Sequence, residues 1–538
     1  MARHGLAALL VAGVLAAAAP AQAAVFYVDD GAGSSTTCTA AAKCNLISEG
    51  ITRARATPET DTILVDPGTY TEALSLTNAA DAGLTIDGAG PTQTVLAPGG
   101  NSSNAAIRTD RDGVTLRELR VDIAPTFARP GLSLGGNDNR AENVLVELRE
   151  PTSSHAAISA ASGKSGTVLD RVSVSGSAAG RGVLAYAANM LIADSQLASG
   201  QQAVEVGGTN VTIARSRLSR GSSGAVVFAL AQGATIDSSL ITGGGAGFEL
   251  YAADGTTLGA TLRGVTIDVG DPKLSDSGLT AVRARADAGA GTTGTATISV
   301  TDSILVERQV SEGAGVGQIN CGSTDAPSQD ESSGSDRVAC ASGSAGNSST
   351  PTGALFAPGT DWHLVPGSPA ADSGSEAPLV AGESGADLDR NPRVADGNRD
   401  CVARRDKGAY ELTGQSAPCP APNPAPALGR VSMTNKVFRA RGAKAPARSS
   451  ARRPAPVGTT FRWRLSEAAR VTITISRKRK VRGRLTARAR AGRGSKSFSG
   501  RLKGKPLAPG RYLAVLVARD PSGQSSAPRR IAFKIVAR

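Results

Sequence analysis

Three aspartates stand at comparable places in a pattern that repeats along the sequence. Asp170 and Asp194 lie one repeat apart, and Asp237 lies two repeats after Asp194. Carboxylates brought side by side can bind Ca²⁺ or act as a general acid and base at the right separation. Aspartate is also a usual residue of tight corners, where it accepts hydrogen bonds from backbone amides. We favour the corner interpretation and keep the three aspartates as candidates for a catalytic centre.

A second acidic segment has the opening of a calcium loop. Asp387, Asp389 and Asn391 stand at alternate positions, but Pro392 follows where such a loop needs glycine, and Asn398 stands where it needs a bidentate glutamate. A turn is therefore the expected structure. The chain has only three histidines, and we expect no resident metal and no cofactor, with Ca²⁺ bound only if the aspartates are catalytic.

Six cysteines fit an oxidising compartment, because no pair has the C-x₂-C spacing of a metal site. Six cysteines allow 15 connectivities. Short spacing favours the pairing of sequence neighbours, which would join Cys38 to Cys44, Cys321 to Cys340 and Cys401 to Cys419.

One six-residue pattern recurs across residues 116–305. It consists of an apolar residue, two mostly polar residues, a small or apolar residue, a usually polar residue and a second apolar residue. It occurs in LRELRV from Leu116, AENVLV from Ala141, LDRVSV from Leu169, IADSQL from Ile192, IARSRL from Ile213, IDSSLI from Ile236, LRGVTI from Leu262 and VTDSIL from Val300. A second short strand lies between these units, with the apolar markers Ile107, Leu132, Ile158, Val183, Val204, Val226 and Phe248. Alternation of period two inside a repeat of about 20–30 residues predicts a β-solenoid.

The predicted fold class is all-β, with a right-handed parallel β-helix as the main body. One coil has too little apolar surface to fold alone, but coils stacked about 4.8 Å apart bury a common interior and pair their backbones. The right hand follows from the handedness of parallel crossover connections. The open sheet edge at the start of the solenoid must be covered. Residues 45–57 carry a helical apolar stripe, formed by Leu46, Ile47, Ile51 and Ala54, and so predict a short capping helix.

Residues 1–23 have the three parts of a secretory signal peptide. Arg3 and His4 form a basic start, residues 6–19 are small and apolar, and Ala21-Gln22-Ala23 suits a signal peptidase. The apolar run is too short to span about 30 Å of hydrocarbon. We expect cleavage after Ala23 or Ala24 and a secreted protein, free or associated with the cell wall, without a transmembrane segment.

The net charge of +13 is divided unevenly along the chain. Residues 430–538 hold 30 Lys and Arg against two acids, whereas the remainder holds 29 bases and 44 acids. This split predicts two bodies, a β-helix over 24–412 and a small basic β-sandwich over 428–538, joined by the Pro- and Ala-rich linker 413–427. A disordered basic insertion is expected near 439–457. The predicted strands of the sandwich are 431–438, 461–465, 471–475, 512–517 and 531–535.

Positive charge is densest in one segment of the sandwich, at Arg477, Lys478, Arg479, Lys480, Arg482 and Arg484. Such a segment attracts polyanions over long range, and salt weakens the attraction. The predicted partner is a polysaccharide or an anionic cell-envelope polymer. The alternative is a soluble, arginine-rich surface without a partner. We expect no specific nucleic-acid recognition, and we expect a monomer.

Several segments resemble a known family. The segment CNLISEGITRARATPETDTILVDPGTYTE from Cys44, LTIDGAG from Leu84 and DKGAYEL from Asp406 resemble the first and last coils of pectin-lyase-like, right-handed parallel β-helix proteins. The resemblance covers roughly residues 25–412, and the C-terminal part resembles Ig-like modules of secreted actinobacterial proteins. GTYTE from Gly68 and QAVEV from Gln202 are similar to motifs of pectin methylesterases, which implies an oxyanion-binding role for Gln202. The later Asp- and Arg-bearing motifs of that family are absent.

Two functional hypotheses follow from these observations. The first is a surface-associated protein that binds or displays, with the basic module attaching to anionic envelope polymers. The alternative is a carbohydrate-active enzyme, a pectate-lyase-like lyase or a related hydrolase or esterase, with the three aspartates near its site. An outer β-face with clustered carboxylates beside Arg or Lys would favour the enzyme, and a smooth face of Ser, Thr and Gly would favour binding.

Overall fold

The structure is a computed structural model of the chain. It describes residues 23–537, except for 100–104, 125–128, 150–154, 177–179, 222–223, 270–279, 288–292, 307–308, 313–315, 323, 325–351, 358, 360, 399, 414–424 and 443–453. The chain forms two compact units, Met1–Ala417 and Pro418–Arg538. Almost all of the predicted signal peptide lies outside the described residues. Within them, no helix is both long and apolar enough to cross a membrane.

The first unit is a parallel β-helix of about nine turns, as predicted. Its strands form three faces. Face A contains Val25–Val28, Thr62–Val65, Thr85–Asp87, the first parts of Thr115–Ile123 and Arg140–Leu148, Val168–Asp170, Leu191–Ala193, Thr212–Ala214, Ala234–Asp237, Thr257–Arg263, Thr295–Thr301 and Val316–Gly322. Face B contains Gly68–Tyr70, Thr94–Leu96, the second parts of the same two long strands, Ser173–Gly176, Gln196–Ser199, Arg217–Arg220, Leu240–Gly243, Thr266–Asp268 and Ile304–Val306. Face C contains Leu74–Leu76, Ile107–Thr109, Leu132–Leu134, Ala156–Ala160, Arg181–Ala185, Val204–Val206, Ala225–Ala229, Ala246–Ala252, Thr280–Ala286 and Gln309–Glu312.

The six-residue pattern forms the interior of the β-helix. The first residues of the eight units pair coil to coil on face A, and the sixth residues pair on face B. All sixteen side chains are at most 1% exposed. The predicted markers of face C are confirmed except at one position, where Val227 and not Val226 stands in register with Val204 and Phe248. Both valines are buried, so burial pattern alone does not distinguish them.

In the eight coils of the six-residue pattern, the corner between faces A and B is built by one left-handed residue. The φ angles there lie between +46° and +56°, at Glu118, Asn143, Arg171, Asp194, Arg215, Ser238, Gly264 and Asp302. The next residue is the buried fourth position of each unit. Its serines form a ladder, in which the Ser195 hydroxyl accepts from Val172 N at 3.0 Å and donates to Ala193 O at 2.7 Å. Ser216, Ser239 and Ser303 repeat this pair of contacts.

Removal of one hydroxyl from the serine ladder should destabilise the β-helix. In Ser216→Ala the buried amide of Ser195 loses its acceptor, which lies at 3.1 Å. We expect the free energy of unfolding to fall by about 1–3 kcal/mol, the cost of an unsatisfied buried donor. Ser219→Ala is the matched control, because Ser219 points outward from the same strand, and should change it by less than about 0.5 kcal/mol. Chemical denaturation measures both, and equal effects would contradict the ladder's role.

The N-terminal end of the β-helix is covered by the helix Ile47–Ala54, as predicted. Ile47, Gly50, Ile51 and Ala54 are buried, but Leu46 is 40% exposed and does not belong to the buried stripe. Glu72, the last residue of the GTYTE motif, accepts hydrogen bonds from Ile47 N at 2.5 Å and Ser48 N at 3.1 Å. The motif therefore has a structural role, because Glu72 accepts hydrogen bonds from backbone amides that are otherwise unpaired at the start of the helix. The other helical turns are the 3₁₀ turn Ala79–Asp81 and the short helix Thr352–Leu355.

The first predicted disulfide is confirmed. Cys38 and Cys44 are bonded, with their Cα atoms 4.8 Å apart, and both are fully buried. Cys321 and Cys401 are also disulfide-bonded. Cys340 and Cys419 lie outside the described residues, so those two pairings stay predictions.

The second unit contains a three-stranded sheet and a five-stranded sheet around one core. In the order of pairing, the first sheet has Leu428–Met433, Thr459–Leu465 and Gly492–Phe498, and the second has Val437–Arg439, Arg529–Val536, Gly510–Arg519, Ala469–Arg477 and Lys480–Ala489. A small hairpin joins Arg501–Leu502 to Lys505–Pro506. The core contains Phe438, Phe461, Phe498, Tyr512 and Phe533, with ring centroids 5.4–6.3 Å apart where they pair.

The sequence missed two strands of this unit and merged two others. The predicted strand 431–438 is divided between the two sheets, because the chain turns at Asn435. Lys480–Ala489 and Gly492–Phe498 were hidden in the basic run. Most of their outward positions hold Arg, Lys, Ser or Thr, so hydrophobicity gave little signal. The predicted insertion near 439–457 falls mainly on residues outside those described.

Candidate functional site

The segment 361–412 lies across the outer surface of face B. Ala409 N donates to Thr266 Oγ1 at 2.9 Å, and Arg217 Nη2 donates to Tyr410 Oη at 3.3 Å. Leu240 of face B packs with Leu388, Ala409 and Tyr410. We call this stretch the closing segment. It covers the part of the β-helix that lies next to the candidate aspartates.

Two of those aspartates anchor the closing segment. Asp194 pairs with Arg215 at 2.8 Å and with Arg390 of the closing segment at 3.3 Å. Asp237 is buried, pairs with Arg263 at 3.2 Å and accepts from Ser384 N at 3.0 Å.

Asp302 serves the same purpose further along the corner, since its carboxylate accepts from Ser375 N at 2.6 Å. Asp170, by contrast, pairs only locally, with Arg171 at 3.0 Å. Partners from the closing segment therefore contact both Asp194 and Asp237, and a catalytic role for the three aspartates stays a prediction.

Asp387 closes a turn in the way that the sequence predicted. Its Oδ1 accepts from Asp389 N at 3.0 Å and Asn391 N at 2.7 Å, and its Oδ2 accepts from Glu411 N at 2.8 Å. Its oxygens are therefore used by the protein's own amides. Across the described ranges, no three His, Cys, Asp or Glu side chains form a group that could hold a metal ion.

Charged groups of the closing segment itself are buried. Arg393 pairs with Glu411 at 2.6 Å, and Arg405 pairs with Glu383 at 2.9 Å. Asp406 lies beside them and accepts from Asp372 N at 2.6 Å. Burial raises the pKa of Asp406 to about 6, although hydrogen bonds from the Leu412 and Asp372 amides oppose the shift.

The buried Asp406 should make the first unit less stable as the pH rises. The folded protein holds a proton on this carboxyl over a range in which the unfolded chain, at the ordinary pKa of 3.8, has lost it. Its stabilising contribution is therefore complete below about pH 4 and is lost as the pH rises through about 6, by about 3 kcal/mol. Asp406→Asn should remove that part of the pH dependence. Unfolding measured at several pH values checks it, with the exposed Asp400→Asn as control, and an unchanged pH slope in Asp406→Asn would contradict it.

The outer surface of face C carries a different set of side chains. One outward row follows the strand register through Leu184, Glu205, Phe228, Glu249 and Arg283. A parallel row two residues later contains Tyr186, Gly207, Leu230, Tyr251 and Arg285. In the earlier coils of the same face this row contains Ser75, Arg108, Ser133 and Ser159, and Arg108 pairs with Asp110 at 2.6 Å. The aromatic side chains and the glutamates of face C lie in its later coils.

Glu205 has partners on both sides. The Tyr186 hydroxyl donates to Glu205 Oε1, and Arg181 Nε lies 3.5 Å from Glu205 Oε2. Burial, together with the hydrogen bond to Glu205, raises the pKa of Tyr186 to about 12. Tyr186 therefore keeps its hydroxyl proton at neutral pH and donates a hydrogen bond to Glu205. Its ring covers Gly207, where a Cβ would lie 2.0 Å from the Tyr186 ring.

Glu249 lies two coils further on and is held by two guanidinium groups. Its oxygens lie 3.3 Å from Arg283 Nη1 and 3.0 Å from Arg285 Nη1. Arg285 also stands over the Tyr251 ring, 5.5 Å from its centroid. That ring is 6.4 Å from the Phe228 ring, which separates Glu249 from Glu205. We call the group formed by Arg181, Tyr186, Glu205, Phe228, Glu249, Tyr251, Arg283 and Arg285 the face C cluster.

Of the residues that the sequence singled out, only Gln202 lies near this cluster. It stands three residues before Glu205, and its buried Oε1 has no hydrogen-bond partner within the described structure. The sequence missed the other members because each occurs once per coil, among loops of different length. The signal available was the alternation within strands such as Ala246–Ala252. Outward positions of that strand and its neighbours hold acidic, aromatic and basic residues.

Comparisons with known proteins gave likenesses in structure alone. No protein-family model matches the chain, and no curated protein matches it. The mannuronan C-5 epimerase A-module of Azotobacter vinelandii is 15% identical, with a TM-score of 0.35, and the match covers 56% of this chain and 94% of that one. A rhamnogalacturonan lyase is 10% identical, with a TM-score of 0.36 and coverage of 56% and 87%.

An alginate lyase of the PL6 family is also 10% identical, with a TM-score of 0.32 and coverage of 52% and 46%. The parallel register from coil to coil, rather than these distant likenesses, identifies the first unit as a β-helix.

Proposed function

We propose that the first unit is a carbohydrate-active enzyme that binds a polysaccharide along face C and cleaves it there. The observation that carries the proposal is the face C cluster, in which two carboxylates, three arginines and three aromatic rings share one outer β-face. Carboxylates clustered beside arginines on one outer β-face are the arrangement expected of the enzyme and not of a protein of binding or display type. The earlier coils of this face carry serines and one Arg108–Asp110 pair instead.

The chemistry of the cluster suits a sugar chain. Aromatic rings offer apolar faces for pyranose rings, and guanidinium groups bind carboxylates or hydroxyls in a directional way. Glu205 and Glu249 stand two strand spacings apart, about 10 Å between their backbones. Carboxyl groups about 6.5–9.5 Å apart leave room for a water molecule in inverting glycoside hydrolysis. In this proposal Glu249 takes a proton from the attacking water, and Glu205 in its protonated form, oriented by the Tyr186 hydroxyl, gives its proton to the departing sugar oxygen.

Incubation of the mature chain with neutral and acidic polysaccharides tests the proposal. Hydrolysis releases new reducing ends, whereas a lyase produces unsaturated ends that absorb in the ultraviolet, and Ca²⁺ is added or omitted in parallel. Release of either product supports an enzyme and identifies its class. Saturable binding without product would support the hypothesis of a binding or display protein. Absence of both binding and product would overturn a polysaccharide function.

We also infer that the chain is exported and that its second unit is an Ig-like module which attaches to anionic envelope polymers. The signal-like residues 1–23 and the Cys38–Cys44 disulfide support export. Leu428–Met433 pairs antiparallel with Thr459–Leu465, and Val437–Arg439 pairs parallel with the last strand. Tyr512 Oη donates to Ala508 O at 2.7 Å, a contact typical of Ig-like sandwiches.

The basic segment Arg477 to Arg484 supports attachment. It lies at the turn between Ala469–Arg477 and Lys480–Ala489, where Lys478, Arg479, Lys480, Arg482 and Arg484 are exposed. No acidic side chain pairs with them among the residues described. Retention of the mature chain on envelope fractions at low salt, and its release by salt, tests this role. Loss of retention in a variant with these residues changed to Gln is expected, and retention that salt does not affect would contradict it.

A further inference from the structure

The chain enters the β-helix beside a buried carboxylate. Ala24 N donates to Asp61 Oδ1 at 2.7 Å, and Ala24 O accepts from Thr62 N at 3.0 Å. Ala24 thus extends by one residue the parallel pairing of Val25–Val28 with the next strand. Ala23, the residue before it, is exposed. Among the described residues, the Ala24 nitrogen is therefore the point at which the chain passes from the surface into the fold.

The Asp61 carboxylate is buried without a cationic side chain beside it. Asp61 is 2% exposed, and its Oδ2 accepts from the Thr57 hydroxyl. In the part of the chain that the structure describes, no Lys, Arg or His side chain pairs with it. Asp81, at the same end of the β-helix, is also buried but pairs with Arg55 at 2.7 Å. Burial of a carboxylate without a charged partner is unfavourable, so one positive charge beside Asp61 would stabilise the fold.

Removal of the predicted signal peptide creates a positive charge at this position. Ala21-Gln22-Ala23 has small residues at the two places that a signal peptidase reads, so cleavage follows Ala23. Water adds to the Ala23 carbonyl carbon, the bond from that carbon to the Ala24 nitrogen breaks, and the products are a carboxylate on Ala23 and an ammonium group on Ala24. Cleavage one residue later would place the larger Gln22 at the first of those two places. It would also remove both Ala24 contacts.

We propose that the chain is processed between Ala23 and Ala24 and that the new Ala24 ammonium group forms a buried ion pair with Asp61. The processing step rests on the export proposed above. The nitrogen already lies at hydrogen-bond distance from Asp61 Oδ1, and a charged donor strengthens that bond. The unprocessed chain offers Asp61 only an amide and a hydroxyl donor, so the first coil reaches its full stability after cleavage.

Two start points, each with and without Asp61→Asn, test the ion pair by denaturant unfolding. The chain that begins at Ala24 should unfold at higher denaturant than the chain that begins at Ala21, and Asp61→Asn should remove the difference. An α-amino group has an ordinary pKa of about 7.7–8.0, and the Asp61 carboxylate, the titratable group that contacts this nitrogen, raises that pKa. The difference is therefore complete below about pH 7.7 and is lost as the pH rises through the raised pKa. Asp87→Asn, which changes a carboxylate paired with Arg117, is the control and should leave the difference unchanged.

Chemical labelling of the N-terminal amine gives a second readout. At about pH 8 the folded chain that begins at Ala24 should react with an acylating reagent at least about tenfold more slowly than its Asp61→Asn variant, since one pKa unit changes the reactive neutral form tenfold. An amine that is merely buried reacts slowly in both chains, and equal rates would overturn the ion pair. The intact mass of the chain exported from a host that expresses residues 1–538 should place the first residue at Ala24, and a first residue at Val25 would overturn the processing site. Absence of export, with the unfolding and labelling results intact, would contradict only the proposed export.

Discussion

Glu205→Gln should lower the rate of polysaccharide cleavage by about 10²–10⁴-fold, the usual contribution of a positioned acid or base. The amide has the shape of the carboxylate but can neither take nor return a proton at neutral pH. The amide keeps one oxygen that can accept from the Tyr186 hydroxyl, so the variant removes the transferable proton and not this hydrogen bond. The initial rate of product release, measured with the substrate that the panel identifies, gives the effect.

Glu142→Gln is the matched control. Glu142 is an outward-facing glutamate of face A, and it pairs with Arg140 at 3.5 Å. Its replacement should leave the rate unchanged, whereas Glu249→Gln should lower it to an extent similar to Glu205→Gln. Substrate affinity measured in parallel should change far less than the rate. Full activity in either Glu205→Gln or Glu249→Gln would remove the face C cluster from the reaction.

Arg393→Ala should destabilise the closing segment by about 3–5 kcal/mol, the cost of leaving a buried charge without its partner. Arg393 and Glu411 are 2% and 0% exposed, and Arg393 also donates to Asp406 O at 3.2 Å. Burial raises the pKa of Glu411 and the Arg393 guanidinium opposes that shift, so the variant leaves a carboxyl that must take up a proton. Denaturant unfolding and protease cleavage within 361–412 measure the loss.

Arg404→Ala is the control for Arg393→Ala. Arg404 belongs to the same segment and pairs with Glu376 at 2.8 Å, but the two side chains are 39% and 74% exposed. Exposed pairs contribute about 0–1 kcal/mol, so this variant should unfold almost as the unchanged protein does. Equal losses in the two variants would show that the closing segment is not held by its buried pair.

The interior of the β-helix could be predicted because it repeats. Every coil must present an aliphatic side chain to the same column, as at Val174, Leu197 and Leu218, and a position under that constraint recurs with a period that sequence reveals. The capping helix followed from its own apolar spacing, and the Cys38–Cys44 pair followed from short separation. The fold class and the positions of the inward side chains could therefore be predicted from local sequence patterns, without knowledge of contacts between residues distant in the sequence.

The candidate site could not be predicted in the same way. Glu205, Phe228, Glu249 and Arg283 share one row only because successive coils pair in a particular register. The loops between their strands differ in length, and outward positions are not restricted to one residue type. Asp194 and Asp237 looked like chemistry in the sequence, but the closing segment, more than a hundred residues later, occupies their carboxylates.

The sequence by itself determined a repeating parallel β-helix and a basic C-terminal body, since each depends on composition or on a local period, and the secretory signal stays a prediction. The tertiary structure alone decided which carboxylates are covered and which stand on face C. The physical reason is that burial restricts the same positions in every coil, and this restriction produces a repeating pattern in the sequence. A functional site forms only once, where side chains from coils or strands distant in the sequence come together.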